Sequence, residues 1–151
     1  MTTTASLIQS DDAGWEAART AWNLAVDQRP AAVATPASAE EAAAAVRAAA
    51  DRGLRVVVQN TGHGAGRVVV DDGALLLRTG GLDGVAIDSD RHVARIGGGA
   101  QWGAVVPAAA EHGLAPASGS SPTVGAVGYL MGGGHGWLAS RHGLAANDLL
   151  A

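Results

Sequence analysis

Gln59-Asn60-Thr61-Gly62-His63-Gly64-Ala65-Gly66 is the stretch on which the reading of this 151-residue chain turns. It follows directly on Leu54 to Val58, a β-branched, apolar run that suits a buried parallel strand. Glycines at positions 62, 64 and 66 let the backbone turn tightly and bring several N–H groups toward one point, the arrangement that cradles a phosphate or pyrophosphate. A tight turn without ligand is the competing reading of the glycines. His63 adds weight to a functional one, because the glycines on both sides give its imidazole no side-chain neighbours to pack it away.

Working back from the loop, Ala31 to Thr35 is a short apolar run ending at Pro36, which predicts a strand. Ser38 with Glu41 three residues later forms a capping-box pattern, and the spacing predicts a helix over Ala39 to Arg52 ended by Gly53. With Leu54 to Val58 this completes a β-α-β unit. Further back, Trp15, Ala18 and Trp22 recur at helical spacing and predict a short amphipathic helix packed by its Trp face. Residues 1–28 are accordingly expected to be an N-terminal helical segment, and residues 29–151 the main domain.

Beyond the loop, Val68 to Val70 and Leu75 to Leu77 predict two short strands. Gly84 to Ile87 and His92 to Ile96 predict a hairpin around Asp88-Ser89-Asp90, and a helix is expected from Gln101 to His112, stopped by Gly113. Ser118 to Pro122 is rich in turn residues. Asn147 to Ala151 enters an apolar segment with no turn or capping signal, so a strand is expected to start there and the chain to be the N-terminal piece of a longer protein.

Composition narrows the function. All ten positive charges are Arg, and they face 14 Asp and Glu for a net charge of −4, which argues against a general nucleic-acid surface. There is no Cys, hence no disulfide framework, thiolate metal site or Cys nucleophile. No stretch approaches the roughly 20 apolar residues of a membrane span, and Met1-Thr2-Thr3-Thr4 lacks the charged and apolar regions of a secretory signal. A cytoplasmic protein without nucleic-acid or membrane partners is expected.

Common nucleotide and catalytic patterns are missing. G-x-G-x-x-G does not occur, a P-loop cannot form without Lys, and H-E-x-x-H and G-x-S-x-G are absent. His92, His112, His135 and His142 lack metal-ligand spacing, so no metal is expected. A second dense feature, Gly125 to Trp137, holds six glycines between Gly125 and Gly136. Each costs a helix roughly 1 kcal/mol relative to Ala, so bare backbone must be of use there, against a flat ligand or against another segment of the chain.

The blocks Gln59 to Gly64, Arg95 to Trp102, Gly119 to Gly125, Gly132 to Leu138 and Gly143 to Asn147 occur together in an order and spacing that resembles one family. It is the berberine-bridge-enzyme-like group of FAD-linked oxidases, with a flavin domain of the vanillyl-alcohol oxidase or p-cresol methylhydroxylase type. The resemblance implies an α+β fold of two small α/β-type subdomains holding FAD. It implies that the loop of Gln59, Asn60, Thr61, Gly62, His63, Gly64 and Ala65 holds the FAD pyrophosphate. His63 matches the family's histidine that bonds to the flavin 8-methyl carbon, a role a neutral imidazole nitrogen can fill. Further cofactor contacts are implied for Gly119, Ser120, Ser121, Thr123, Val124, Gly125, Gly128, Tyr129, Gly132, Gly134, His135 and Gly136. Some members have a second linkage through a Cys where this chain has Ser121, so a single linkage is the most it could make.

The resemblance implies a parent oxidoreductase that removes hydride from a small organic substrate and passes the electrons to oxygen. Family members are much longer, and their substrate domain and catalytic base lie beyond these residues, so this segment alone is expected to be inactive. The alternative from another class is a non-catalytic nucleotide- or anion-binding module that uses the same glycine loops.

Overall fold

The computed structural model describes residues 6–150. Met1 to Thr4 and Ala151, on which the targeting and chain-end readings partly rest, lie outside the described residues. The chain divides between Leu82 and Asp83 into two compact units.

The first unit is built on a four-stranded sheet in the order β1 (Leu7–Ile8), β2 (Ala32–Ala34), β4 (Ala74–Arg78), β3 (Arg55–Gln59). β2 and β3 each run parallel to β4, while β1 pairs antiparallel with β2. Helix α2 (Ala39–Asp51) carries the chain from β2 to β3, as the β-α-β pattern predicts, and β4 then inserts between the two strands. The Ser38 hydroxyl accepts from the Glu41 N–H at 3.2 Å, and the Glu41 carboxylate accepts from the Ala37 N–H at 2.8 Å. The helix start is thus capped from both directions, and Gly53, at φ 67°, ends it. Ala45 and Ala49 of α2 pack on Ala32, Ala34, Leu75 and Leu77, the small alanines letting helix and sheet approach closely. On the other sheet face Val33, Val70, Ala74 and Leu76 form a second cluster, joined by Trp15 and Ala18 of α1 (Trp15–Arg19).

Three expectations fail here. β3 is parallel as expected but lies at the sheet edge rather than buried: β4 covers one side only, and Val58 is 64% exposed. Val68 to Val70 forms no strand: it pairs with no strand of the sheet, and Val68 and Val69 are exposed. β-branched composition alone does not supply a pairing partner. The Trp face of the first helix is also incomplete. Helix α1 ends at Arg19, and Trp22 lies outside it, 62% exposed.

In the second unit β5 (Val85–Asp88) and β6 (Val93–Ile96) form the expected antiparallel hairpin. α3 (Trp102–Ala110) packs against it through Trp102 and Val105, together with Ala100 before the helix and Ala126 of α4 (Ala126–Met131). Gln101 bridges to Gly125, the Trp102 N–H donates to the Val124 carbonyl at 3.1 Å, and the Gly103 N–H donates to Pro122 at 2.8 Å. These bonds zip the Arg95–Trp102 block to the Pro122–Gly125 block. A short helix α5 (Ala139–His142) follows. The strand expected from Leu149 is not formed among the described residues: Ala145–Asp148 is a 3-10 turn, and Leu149 and Leu150 are exposed without a strand partner. No helix among the described residues is long and apolar enough to cross a membrane.

Candidate functional site

The glycine loop leaves the C-terminal end of β3 as the sequence predicts, and its base is braced from an unexpected direction. Gln59 and Gln28 exchange two amide hydrogen bonds at 2.9 and 3.0 Å, with Gln28 buried. Gln59 therefore anchors the loop to the segment that follows α1. The same segment runs along the loop, where the Trp22 N–H donates to the Thr61 carbonyl at 2.9 Å and the Asn23 N–H donates to that of Gly62 at 3.4 Å. Arg78, at the end of β4, donates to the carbonyls of Ala18 and Thr20 and so ties the end of α1 to the sheet.

The glycines of the loop do different work. Gly62 is buried with φ 84°, and a Cβ on it would stand 2.7 Å from the Ala21 Cβ. Positive φ and backbone proximity both demand glycine there. Gly64 is exposed with φ −99°, and a Cβ on it would meet nothing nearer than Arg67 Cδ at 3.8 Å, with Arg67 Nε at 3.9 Å. The space in front of Gly64 is thus open and bordered by a guanidinium. Ala65 is buried and starts a 3-10 turn, its N–H donating to the Gly62 carbonyl at 3.2 Å. Asn60 is half-buried.

Between these glycines stands His63, half-buried. Its Nδ1 is 2.8 Å from the Thr61 hydroxyl, and its ring stacks on Trp22 at 3.9 Å between centroids with 13° between planes. Burial lowers its pKa from the ordinary imidazole value, which favours the neutral form that can act as a nucleophile. Trp22 and Arg67 are the two site neighbours that sequence reasoning missed. Trp22 carried a helix-spacing signal that pointed elsewhere, and a lone Arg in a turn carries none.

In the second unit the predicted residues gather around the Tyr129 ring. A Cβ on Gly119 would meet the ring at 3.0 Å, one on Gly134 at 2.8 Å, and one on Gly136 would strike the Ser118 carbonyl oxygen at 2.1 Å. These three glycines make room for Tyr129 and neighbouring backbone, which is the packing use of bare backbone. Gly128 has open space around it. Tyr129 also meets Trp102 edge-on at 5.4 Å, and its hydroxyl is buried with no hydrogen-bond partner among the described residues. Burial pushes that phenol's pKa up. Ser121 and Thr123 hydroxyls pair at 3.1 Å, while Ser120 and His135 are exposed. Val124 joins the core and Gly125 is buried at the bridge to Gln101, whereas Gly132 follows directly on α4 as its C-cap. No group of three or more His, Asp or Glu placed to hold a metal exists among the described residues.

Residues 30–151 match the family described as FAD binding domain. (R)-6-hydroxynicotine oxidase of Paenarthrobacter nicotinovorans is 37% identical over 144 residues, 95% of this chain and 31% of its own length. Berberine bridge enzyme-like D-1 of Nicotiana tabacum is 32% identical over 130 residues, 81% of this chain and 23% of its own. Among solved structures, 6-hydroxy-D-nicotine oxidase from Arthrobacter nicotinovorans superposes with a TM-score of 0.87 at 35% identity, covering 97% of this chain and 33% of that one. Glucooligosaccharide oxidase from Acremonium strictum, described with a 6-S-cysteinyl, 8α-N1-histidyl FAD, superposes at 0.78 with 36% identity, covering 94% of this chain and 30% of that one. The chain thus spans about a third or less of the length of these relatives. Glycine blocks, topology and matched residues agree, and the chain belongs to the FAD-binding domain family of FAD-linked oxidases.

Proposed function

We propose that this chain is the FAD-binding segment of a flavin-dependent oxidoreductase, and that His63 carries the flavin covalently. The observation that supports it best is the loop itself: a half-buried imidazole with a lowered pKa stands beside the open space at Gly64, which Arg67 borders. That donor set suits a cofactor with an anionic diphosphate and an electrophilic ring carbon. When bound, the flavin would supply the two-electron chemistry, taking hydride from a carbon of a small organic substrate and passing the electrons to dioxygen.

The chain's own residues bind and attach. The Gly64 backbone and Arg67 would hold the diphosphate, and Thr61 and His63 would supply the attachment point. Bound FAD would contribute an electrophilic 8-methyl carbon, with dioxygen as the two-electron oxidant for attachment, and this chain would contribute the imidazole nitrogen of His63. Gln59, Asn60, Gly62 and Ala65 shape the loop. Gly119, Ser120, Ser121, Thr123, Val124, Gly125, Gly128, Tyr129, Gly132, Gly134, His135 and Gly136 are proposed as cofactor contacts on the family resemblance. With Ser121 in place of a cysteine, one linkage is the limit.

The test is acid precipitation of the expressed protein. Yellow colour should stay with the pellet, and His63→Ala should abolish it while reversible FAD binding persists. A colourless wild-type pellet with no flavin in the supernatant would favour a non-catalytic anion- or nucleotide-binding module instead.

A further inference from the structure

We propose that Trp22 and Thr61 are positioning residues that hold the His63 imidazole in the orientation needed for flavin attachment. The proposal rests on the reading of His63 as the attachment residue. A histidine flanked by glycines has two rotations to fix, and the structure places a separate restraint on each. Stacking at 3.9 Å and 13° fixes the plane of the ring against Trp22. The Thr61 hydroxyl, 2.8 Å from Nδ1, fixes the rotation of the ring within that plane by engaging that nitrogen.

Geometry makes this arrangement productive rather than obstructive. The lone pair of an imidazole nitrogen lies in the ring plane, so an indole on the ring face leaves the reactive edge unobstructed. Trp22 is itself rigidly placed. Its N–H is bonded to the Thr61 carbonyl, Asn23 bonds the Gly62 carbonyl, and Ala21 sits so close to Gly62 that no Cβ fits between them. The indole, the hydroxyl and the imidazole thus hang from one hydrogen-bonded stretch of backbone. That backbone also explains why a tryptophan 62% exposed holds a stacked geometry. Holding a reacting atom within a fraction of an ångström is worth large factors in rate, and the loss of one restraint is expected to slow attachment about tenfold or more.

The experiment follows acid-stable flavin over time after FAD is added to apoprotein of the wild type and of Trp22→Ala, Trp22→Phe and Thr61→Val. Reversible FAD affinity is measured in parallel. Trp22→Ala should slow attachment about tenfold or more with FAD affinity within about twofold of wild type, Thr61→Val should slow it by a larger factor than any change in its FAD affinity, and Trp22→Phe should restore most of the rate. A second readout needs no flavin. The indole emission of the wild type should fall as His63 gains its proton, since a stacked imidazolium quenches indole, and this step should be absent in Trp22→Phe and in His63→Ala. Attachment by Trp22→Ala at the wild-type rate would overturn the proposal while leaving His63 as the attachment residue. No attachment in the wild type would overturn both.

Discussion

At the scale of single residues, neighbouring glycines in one loop answer to different forces. Gly62→Ala puts a Cβ against Ala21 at a φ of 84°, and should destabilise the fold by about 1–3 kcal/mol in urea denaturation. Gly64→Val meets open space at an ordinary φ, so it should leave the denaturation midpoint nearly unchanged and weaken FAD binding about tenfold or more by filling the space in front of the loop. An equal loss of stability in both variants would make the loop a purely structural turn. His63 adds a pH signature. Its folded pKa lies below the ordinary 6.5, so as pH falls through that value the unfolded chain takes up the proton first. Stability should therefore decline from about pH 6.5 down to the lowered folded value and then level off. The decline should be missing in His63→Gln when melting temperature is followed between pH 8 and pH 5. Asp27 and Asp71 act in a separate, more acidic window. Arg19 and Arg29 lower the pKa of Asp27, and Arg55 lowers that of Asp71, so their stabilisation is present above the ordinary carboxylate pKa and lost as pH falls through the lowered values.

At the scale of elements, helix α2 shows how local signals and tertiary packing reinforce each other. Ser38 and Glu41 satisfy orphan donors at its start, and Ala45 and Ala49 bury the opposite face on the sheet. Ser38→Ala should cost about 1 kcal/mol, and Glu41→Ala less, because it removes only the reciprocal bond to Ala37. Denaturant midpoints at constant slope would measure both. A zero effect at Ser38 would mean that packing on the sheet alone holds the helix start. The segment after α1 tells the opposite story. Its conformation depends on partners far away in sequence, namely Gln59, Thr61, Gly62 and Arg78.

At the scale of the molecule, the described residues expose Met131, Trp137, Leu144, Leu149 and Leu150, a set of large apolar side chains in the second unit. Trp137 is 79% and Met131 77% exposed. These 151 residues produced alone should bind a hydrophobic dye such as ANS and aggregate on warming, and Trp137→Ser with Met131→Gln should reduce both. They should also show no substrate-dependent peroxide formation even where they retain FAD, since none of their residues is proposed as the substrate base. A soluble monomer with a cooperative melt and measurable turnover would refute that expectation.

What the sequence by itself determined was whatever is encoded by near neighbours. The capped helix α2, the β5–β6 hairpin, the helix stopped by Gly113 and the loop after β3 all rest on signals a few residues apart: a capping box, a period, a glycine at a turn. The family blocks were legible because glycine at a close approach admits few substitutes. Tertiary structure alone decided the rest. Whether Val68 to Val70 became a strand depended on whether the fold laid it along a strand of the sheet, and it did not. Whether Leu54 to Val58 was buried depended on which strand lay at the edge. The spacing of Trp22 predicts a helix face, yet backbone hydrogen bonds from Trp22 to Thr61 and from Asn23 to Gly62 set its indole on His63. Pairing, burial and stacking are competitions among segments distant in the chain, and their outcome is fixed by which partners the fold brings within reach.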